Sequence, residues 1–172
     1  ADAVIDLTSL RRTAIARAGP QFPATKTSIP KVDKGALLII GGGGVTPNMI
    51  ESFVESAGGD AAHLVVLPTA VDDASARRSE IPSFLKDQNV KSITILPQRW
   101  RDEVNGATFE DALKKATGVW FGGGRQWRFV DAYENTQAVK LFNEVLERGG
   151  IIAGSSAGAS IQAEYMVRGD PL

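Results

Sequence analysis

Residues 150–159 read GIIAGSSAGA, an apolar run that passes directly into a turn of glycine, serine and alanine. The run predicts a strand buried on both faces, and a helix is expected after the turn, over residues 160–167. Strand, tight turn and helix are the setting in which a Gly-x-Ser-x-Gly sequence exposes a serine at the tip of a bend. Small neighbours are required there because the backbone folds back on itself. We therefore predict that Ser156 lies exposed at the carboxyl end of this strand.

Two interpretations of the turn remain open. In the first, the Ser156 hydroxyl is a nucleophile, and the backbone N–H of Ala157 points to where an oxyanion would form. In the second, the small residues only allow a helix to pack tightly onto the sheet, since the pattern itself is permissive. The position directly after a buried strand favours the first interpretation.

Four similar apolar runs precede the turn, at residues 36–40, 64–67, 93–96 and 119–121. Helical patterns separate the runs, at residues 47–57, 75–86, 108–115 and 137–148. The alternation predicts an α/β fold, a parallel sheet with helices on both faces. Ligands of such sheets bind outside the carboxyl ends of the strands. The segments that follow the strands are residues 41–44, 68–73, 97–100, 122–128 and 154–158.

The segment after the fourth run, residues 121–128, reads FGGGRQWR. The backbone N–H groups of Gly123 and Gly124 are candidates for the other half of an oxyanion hole. Three side chains there can donate to a substrate carboxylate: Arg125, Gln126 and Arg128. A flexible loop with solvated arginines is the competing interpretation. The glycines at 41–44 lack the spacing of a nucleotide-binding loop, so a close backbone approach beside the site explains them better.

Composition narrows the chemistry further. The 172 residues include no cysteine and a single histidine, which excludes a thiol nucleophile, Cys-ligated zinc and any multi-histidine metal site. With 19 Lys and Arg against 20 Asp and Glu, a nucleic-acid-binding module is not expected, and no apolar run reaches the roughly 20 residues of a membrane span. The histidine, His63, begins a strand, roughly 15 Å from the edge where Ser156 is expected. An imidazole base for Ser156 would therefore lie outside these residues.

The GSSAGA turn at 154–159, the glycine loop at 122–128 and the Pro68-Thr69-Ala70 step resemble the serine peptidases that include cyanophycinase and dipeptidase E. The resemblance runs from about residue 35 to the end of the chain. It implies a flavodoxin-like fold similar to class I glutamine amidotransferases, with serine in place of cysteine and without a metal or organic cofactor. It also implies roles for single residues: Ser156 as nucleophile, the amides of Gly123 and Gly124 at the oxyanion, and Gln126 and Arg128 toward the substrate.

The resemblance further implies hydrolysis of peptide or isopeptide bonds at aspartyl residues. In cyanophycinase the substrate is an aspartate polymer with arginine on each β-carboxyl, cut to β-Asp-Arg dipeptides. Arg125 stands where this family usually has Asp or Asn, and a cation there favours a substrate carboxylate over a guanidinium. A non-catalytic ligand-binding domain on the same scaffold, and an amidase or esterase of the same fold, are the alternatives.

In that family the catalytic histidine follows the nucleophile by several tens of residues. We therefore expect residues 35–172 to be a serine peptidase domain incomplete at its C-terminus. A second chain from the same precursor would supply the histidine, and a homodimer is also compatible. Asp170 is a candidate acidic partner, or a turn residue before proline. Residues 1–34 are expected to form an N-terminal arm, with a short helix at 7–18. The Ala1-Asp2-Ala3 start suggests a secreted or periplasmic protein, with the cytoplasm as the alternative.

Overall fold

The computed structural model describes residues 34–163 and 166–167. Its five strands are β1 Ala36–Ile40, β2 His63–Leu67, β3 Ser92–Ile95, β4 Gly118–Phe121 and β5 Ile151–Ser155. Its α-helices are α1 Pro47–Ser56, α2 Asp73–Arg77, α3 Ser83–Lys86, α4 Arg101–Val104, α5 Ala107–Lys115, α6 Gln126–Tyr133, α7 Gln137–Glu147 and α8 Ala157–Ser160, and a 3₁₀ turn spans Gly59–Ala61. The predicted arm helix at 7–18 and Asp170 lie outside the described residues.

The strands form one sheet in the order β1-β5-β4-β2-β3, and every neighbouring pair is parallel. The sequence prediction of an α/β fold with a parallel sheet is therefore confirmed. All the strands end at the same edge, so the segments that follow β5, β4 and β2 come together there. In this part of the chain, no helix is both long and apolar enough to cross a bilayer.

Alternation along the strands divides the core into two layers. On β2, Val65 and Leu67 face the layer built with α5, α6 and α7, whereas Leu64 and Val66 face the layer built with α1 and α3. Strands buried on both faces need apolar residues at successive positions. That requirement explains the apolar runs of the inner strands β2, β4 and β5. In the edge strand β1 the run includes two exposed residues, Leu37 and Ile39.

Two predicted helices differ from the structure. The pattern at 75–86 forms two short helices, α2 and α3, because Pro82 lacks the N–H that a continuous helix needs and instead caps the second. The helix after the serine begins at Ala157, not at residue 160, and residues 161–163 are turn and bend. The segment 122–128 is also only partly a loop, since α6 begins at Gln126.

The close packing of α8 on the sheet gives a stability test. A Cβ added to Gly158 would overlap the backbone carbonyl of Phe121 in β4. Gly158→Ala should therefore lower the free energy of unfolding by about 3 kcal/mol, since the clash is with backbone and cannot be relieved by a rotamer change. Urea denaturation followed by circular dichroism measures this change.

Gly44→Ala is the matched control, because a Cβ there would meet no atom within 4 Å. Its effect should stay within about 0.5 kcal/mol. Equal effects of the two substitutions would contradict the packing described for α8.

Candidate active site

Ser156 occupies a strained turn between β5 and α8. Its backbone has φ 54° and ψ −115°, a conformation that non-glycine residues rarely adopt. Its N–H donates to the carbonyl oxygens of Ile40, at 3.0 Å, and Gly41, at 3.1 Å. These bonds fasten the turn to the end of β1, and the Ser156 side chain is exposed at the carboxyl edge of the sheet.

The neighbours of Ser156 show why the turn needs small residues. A Cβ on Gly154 would overlap the backbone of Gly158, and a Cβ on Gly158 would overlap the carbonyl of Phe121. Both glycines are buried. The pattern that predicted a nucleophile turn thus has a steric basis, because α8 begins in contact with the backbones of β4 and β5.

The glycine loop after β4 lies directly against the serine. A Cβ on Gly123 would be 3.6 Å from the Cβ of Ser156. Neither Gly123 nor Gly124 has an acceptor for its N–H in the part of the chain that the structure describes, and the same holds for Ala157 in the first turn of α8. Backbone N–H groups that have no acceptor within the described residues, on the segments that flank an exposed hydroxyl, are able to stabilise an oxyanion there.

The carbonyl of Ala70, just after β2, fixes the position of this loop. The Arg125 N–H donates to the Ala70 oxygen at 2.9 Å, and the Arg128 guanidinium donates to the same oxygen at 3.1 Å. Gly124, at φ 144°, packs so closely on Ala70 that a side chain would clash with it. Nothing in the sequence pattern marked this carbonyl, although the Pro68-Thr69-Ala70 step contains it.

A buried hydroxyl pair supports the Ala70 segment from below. The side-chain oxygens of Thr69 and Tyr133 are 2.5 Å apart, and both residues are almost fully buried. Burial raises the pKa of Tyr133 well above the ordinary tyrosine value, and the Thr69 hydroxyl and the charge of Arg99 offset this only in part. Tyr133 is therefore a neutral hydroxyl that ties α6 to the segment after β2.

The three polar residues predicted to face a substrate point to different places. Arg125 is exposed at the start of α6. The Gln126 amide donates to the carbonyl of Val167, at 3.2 Å, in the segment that follows α8. Arg128 reaches the Ala70 carbonyl, and its guanidinium lies 5.2 Å from the Trp127 ring centroid. Of these three residues, Arg125 is exposed, whereas Gln126 and Arg128 are half-buried.

His63 lies at the opposite edge of the sheet, as the sequence predicted. It is the first residue of β2, and its Nδ1 is 2.7 Å from the Ser92 hydroxyl at the start of β3. It therefore cannot serve Ser156 as a base. Within residues 34–163 and 166–167, no three His, Asp or Glu side chains gather closely enough to hold a metal ion.

A cleft of about 650 Å³ lies at the carboxyl edge of the sheet, the edge that carries Ser156, beside the segments after β2 and β3. Arg99, Trp100 and Arg128 are among its lining residues. The rule that ligands bind at the carboxyl ends of strands pointed to residues 68–73 and 97–100, but no motif there singled out a residue. Arg99 and Trp100 were therefore missed in the sequence.

The chain is similar to known proteins over most of its length. The family model described as peptidase family S51 matches residues 37–170. A cyanophycinase from Nostoc sp. is 24% identical over 156 residues, which cover 87% of this chain and 52% of that protein. A cyanophycinase from Synechococcus elongatus is 28% identical over 138 residues, covering 78% of this chain and 43% of that protein. The chain thus spans about half the length of the curated relatives it matches.

Solved structures show the same fold. A peptidase from an acI-B1 actinobacterium superposes with a TM-score of 0.63 at 22% identity, covering 77% of this chain and 58% of that one. A putative peptidase E from Listeria monocytogenes gives a TM-score of 0.50 at 19% identity, covering 73% and 59%. The family model and the curated relatives, together with the shared fold, confirm the resemblance to the serine peptidases that include cyanophycinase and dipeptidase E.

The strain at Ser156 predicts an order of stability between two variants. Ser156→Gly and Ser156→Ala both remove the hydroxyl, but only glycine adopts φ 54° and ψ −115° without strain. The glycine variant should be the more stable by about 1 kcal/mol in urea denaturation. At Ser160, in the helix, the order should be reversed, because glycine disfavours helix by about 1 kcal/mol. A Ser156→Ala protein as stable as Ser156→Gly would show that the turn is not strained.

The hydroxyl pair predicts a pH-dependent effect. Tyr133→Phe leaves the buried Thr69 hydroxyl without its partner, so the free energy of unfolding near pH 7 should fall by about 1–3 kcal/mol. The raised pKa of Tyr133 means that the fold favours its protonated form, so wild-type stability from this group is intact below pH 10 and lost as the pH rises above it.

The difference in free energy of unfolding between the wild type and Tyr133→Phe should therefore become smaller above pH 10. Denaturation at several pH values measures it. Thr69→Val with Tyr133→Phe completes a double-mutant cycle and isolates the contribution of the pair. A difference that is constant from pH 7 to pH 11 would rule out a buried Tyr133 hydroxyl.

Proposed function

Because this chain belongs to peptidase family S51, we propose that it carries the nucleophile of a serine peptidase that cleaves peptide or isopeptide bonds at aspartyl residues. The observation that supports this most directly is the exposed Ser156 in a strained turn, packed against the Gly123 loop. A turn held in an unfavourable backbone conformation by three strands is expected where a hydroxyl must be presented in a fixed orientation.

In the proposed reaction, the Ser156 Oγ attacks the carbonyl carbon of the scissile bond. The carbonyl π electrons move to the oxygen, and the N–H groups near Gly123, Gly124 and Ala157 stabilise the negative charge. The hydroxyl proton passes to a base, which returns it to the leaving amine as the C–N bond breaks. Water then attacks the acyl-serine ester with the same base, releasing the acid and restoring Ser156.

The proposed base is a histidine that lies outside these 172 residues. The sequence holds a single histidine, and His63 lies at the wrong edge of the sheet. The curated relatives extend to about twice the length that this chain covers, which leaves room for such a residue. A second chain cut from the same precursor, or a further part of the same polypeptide, would bring it to Ser156.

The charge at the site supports an acidic rather than a guanidinium-bearing substrate group. Arg125 is exposed beside the glycine loop, at the start of α6. A carboxylate near this guanidinium gains a charge-assisted interaction, whereas an arginine side chain would be repelled. Aspartyl or isoaspartyl peptides with a free carboxylate are therefore the proposed substrates, in preference to cyanophycin.

A peptide panel tests the proposal. α-Aspartyl, isoaspartyl and cyanophycin-type peptides are incubated with the protein, and free amines are measured. We expect hydrolysis of the first two classes and a drop of at least about 10³-fold in kcat for Ser156→Ala. Ser155→Ala, one residue away at the end of β5, is the matched control and should remain active.

Two outcomes would contradict parts of the proposal. Peptide binding without hydrolysis in the wild type would favour a ligand-binding domain, and cleavage of simple esters or amides alone would favour an esterase or amidase. Intact-mass measurement of the active species tests the external base. A single 18.3 kDa species with full activity would exclude it.

A further inference from the structure

We propose that the outer side of β1 is a docking surface for the part of the protein that carries the catalytic base. This β1 surface consists of the strand edge away from β5, the exposed side chains of Leu37 and Ile39, and the glycines at 41–44. The inference rests on the proposed function, because it names where the base-bearing segment binds. The occupant is a segment of the same precursor that lies outside these 172 residues.

Strand β1 is well covered on one face only. Leu38 packs against the layer built with α1 and α3, and Ile40 is buried in it. Leu37 lies opposite Ile152, which belongs to the other layer, so Leu37 and Ile39 point to that second face. They are nevertheless 42% and 60% exposed. Among the described residues β1 also pairs with β5 alone, and an apolar strand edge of this kind is a template for pairing with another segment.

The end of β1 leads directly to the nucleophile. The carbonyl oxygens of Ile40 and Gly41 accept the Ser156 N–H at 3.0 and 3.1 Å. The glycine loop at Gly123 occupies the other side of the serine, next to β4. A strand added to β1 would lie about 10 Å from β5, a distance that about three extended residues span. A histidine just beyond such a strand can therefore come within hydrogen-bond reach of Ser156 from the β1 side, as a base requires.

The four glycines after β1 have open space around them. A Cβ added to any residue of 41–44 would meet no atom within 4 Å. Of these four residues, only Gly43, at φ 105°, has a backbone conformation that favours glycine. The contacts among the described residues thus give no reason for glycine at positions 41, 42 and 44. Close approach of another backbone is such a reason, and the docked segment would supply it beside Ser156.

The same precursor is the source that best explains this surface. About half of each curated relative lies outside its match with this chain, which is enough for further strands and helices. The alternatives are residues 1–33 and a second copy of this chain. Residues 1–33 contain no histidine, and the single histidine of a second copy, His63, lies at the start of β2 beside the Ser92 hydroxyl. Only a further segment accounts for both the exposed apolar face and the base.

Site-specific photo-cross-linking identifies what covers β1. Ile39 is replaced by p-benzoylphenylalanine in the protein produced from its whole gene, so that any further part of the polypeptide is present. After irradiation, the cross-linked peptides are identified by mass spectrometry. We expect a cross-link to a segment of the same gene product outside residues 1–172. A cross-link confined to residues 1–172, whether to residues 1–33 or to a second copy, or no cross-link at all, would overturn the docking surface.

Leu37→Glu tests the apolar contact, and Val139→Glu is the matched control. The two side chains are 42% and 47% exposed. Val139 lies in the first turn of α7, whereas the other end of that helix, at Leu146, lies against Gly35 just before β1.

Leu37→Glu should reduce the yield of the cross-link from position 39 by at least about tenfold, because burying an unpaired carboxylate in an apolar contact is costly. Val139→Glu should leave the yield unchanged. Circular dichroism establishes that both variants are folded. Equal yields from the two folded variants would overturn the docking surface.

Hydrolysis of the peptide panel by the wild type separates this inference from the proposed function. A cross-link to a segment outside residues 1–172, without cleavage of any peptide, would overturn the peptidase proposal and retain the docking surface. Cleavage of aspartyl peptides by a protein whose cross-links stay within residues 1–172 would overturn the docking surface and retain the peptidase.

Discussion

The contact between the backbone of Gly158 and the carbonyl of Phe121 is the constraint on which the site depends. It allows α8 to begin in contact with β4 and β5. Ser156, the one residue between the end of β5 and the start of α8, then takes a strained conformation at the edge of the sheet. The two bonds from the Ser156 N–H to the end of β1 hold it there. Without that close approach, the serine would be an ordinary exposed residue in a loop, with no fixed relation to the glycines after β4.

The Ala70 carbonyl extends this arrangement across the sheet. It accepts hydrogen bonds from the Arg125 N–H and the Arg128 guanidinium, while Thr69 beside it is anchored to Tyr133 in the core. The segment after β2 therefore sets the position of the glycine loop and one wall of the charged cleft together. Ser156, the glycine loop and the cleft therefore lie along one edge of the sheet, and these backbone contacts fix the positions of the segments that carry them.

The strands and the turn at Ser156 could be predicted from the sequence because each can be formed only by certain types of residue. Strands buried on both faces need continuous apolar runs, and the turn at Ser156 needs residues without bulky side chains at 154 and 158. The prediction of one helix at 75–86 was wrong because Pro82 lacks the N–H that a continuous helix needs, even though the apolar residues there have helical spacing. The strand order, the Ala70 carbonyl and the positions of Arg99 and Arg128 at the cleft could not be predicted, since they depend on backbone atoms and on contacts between elements far apart in sequence.

The claim that Ser156 is an activated nucleophile is tested most directly by covalent labelling. The native protein, with any segment that accompanies it, is treated with a fluorophosphonate, and the modified residue is located by peptide mass spectrometry. We predict a single adduct on the Ser156 hydroxyl, because this serine is exposed beside backbone N–H groups that have no acceptor among residues 34–163 and 166–167 and are proposed to stabilise the charged oxygen of the adduct. An unlabelled protein, or an adduct on Ser155 or another serine, would contradict the account.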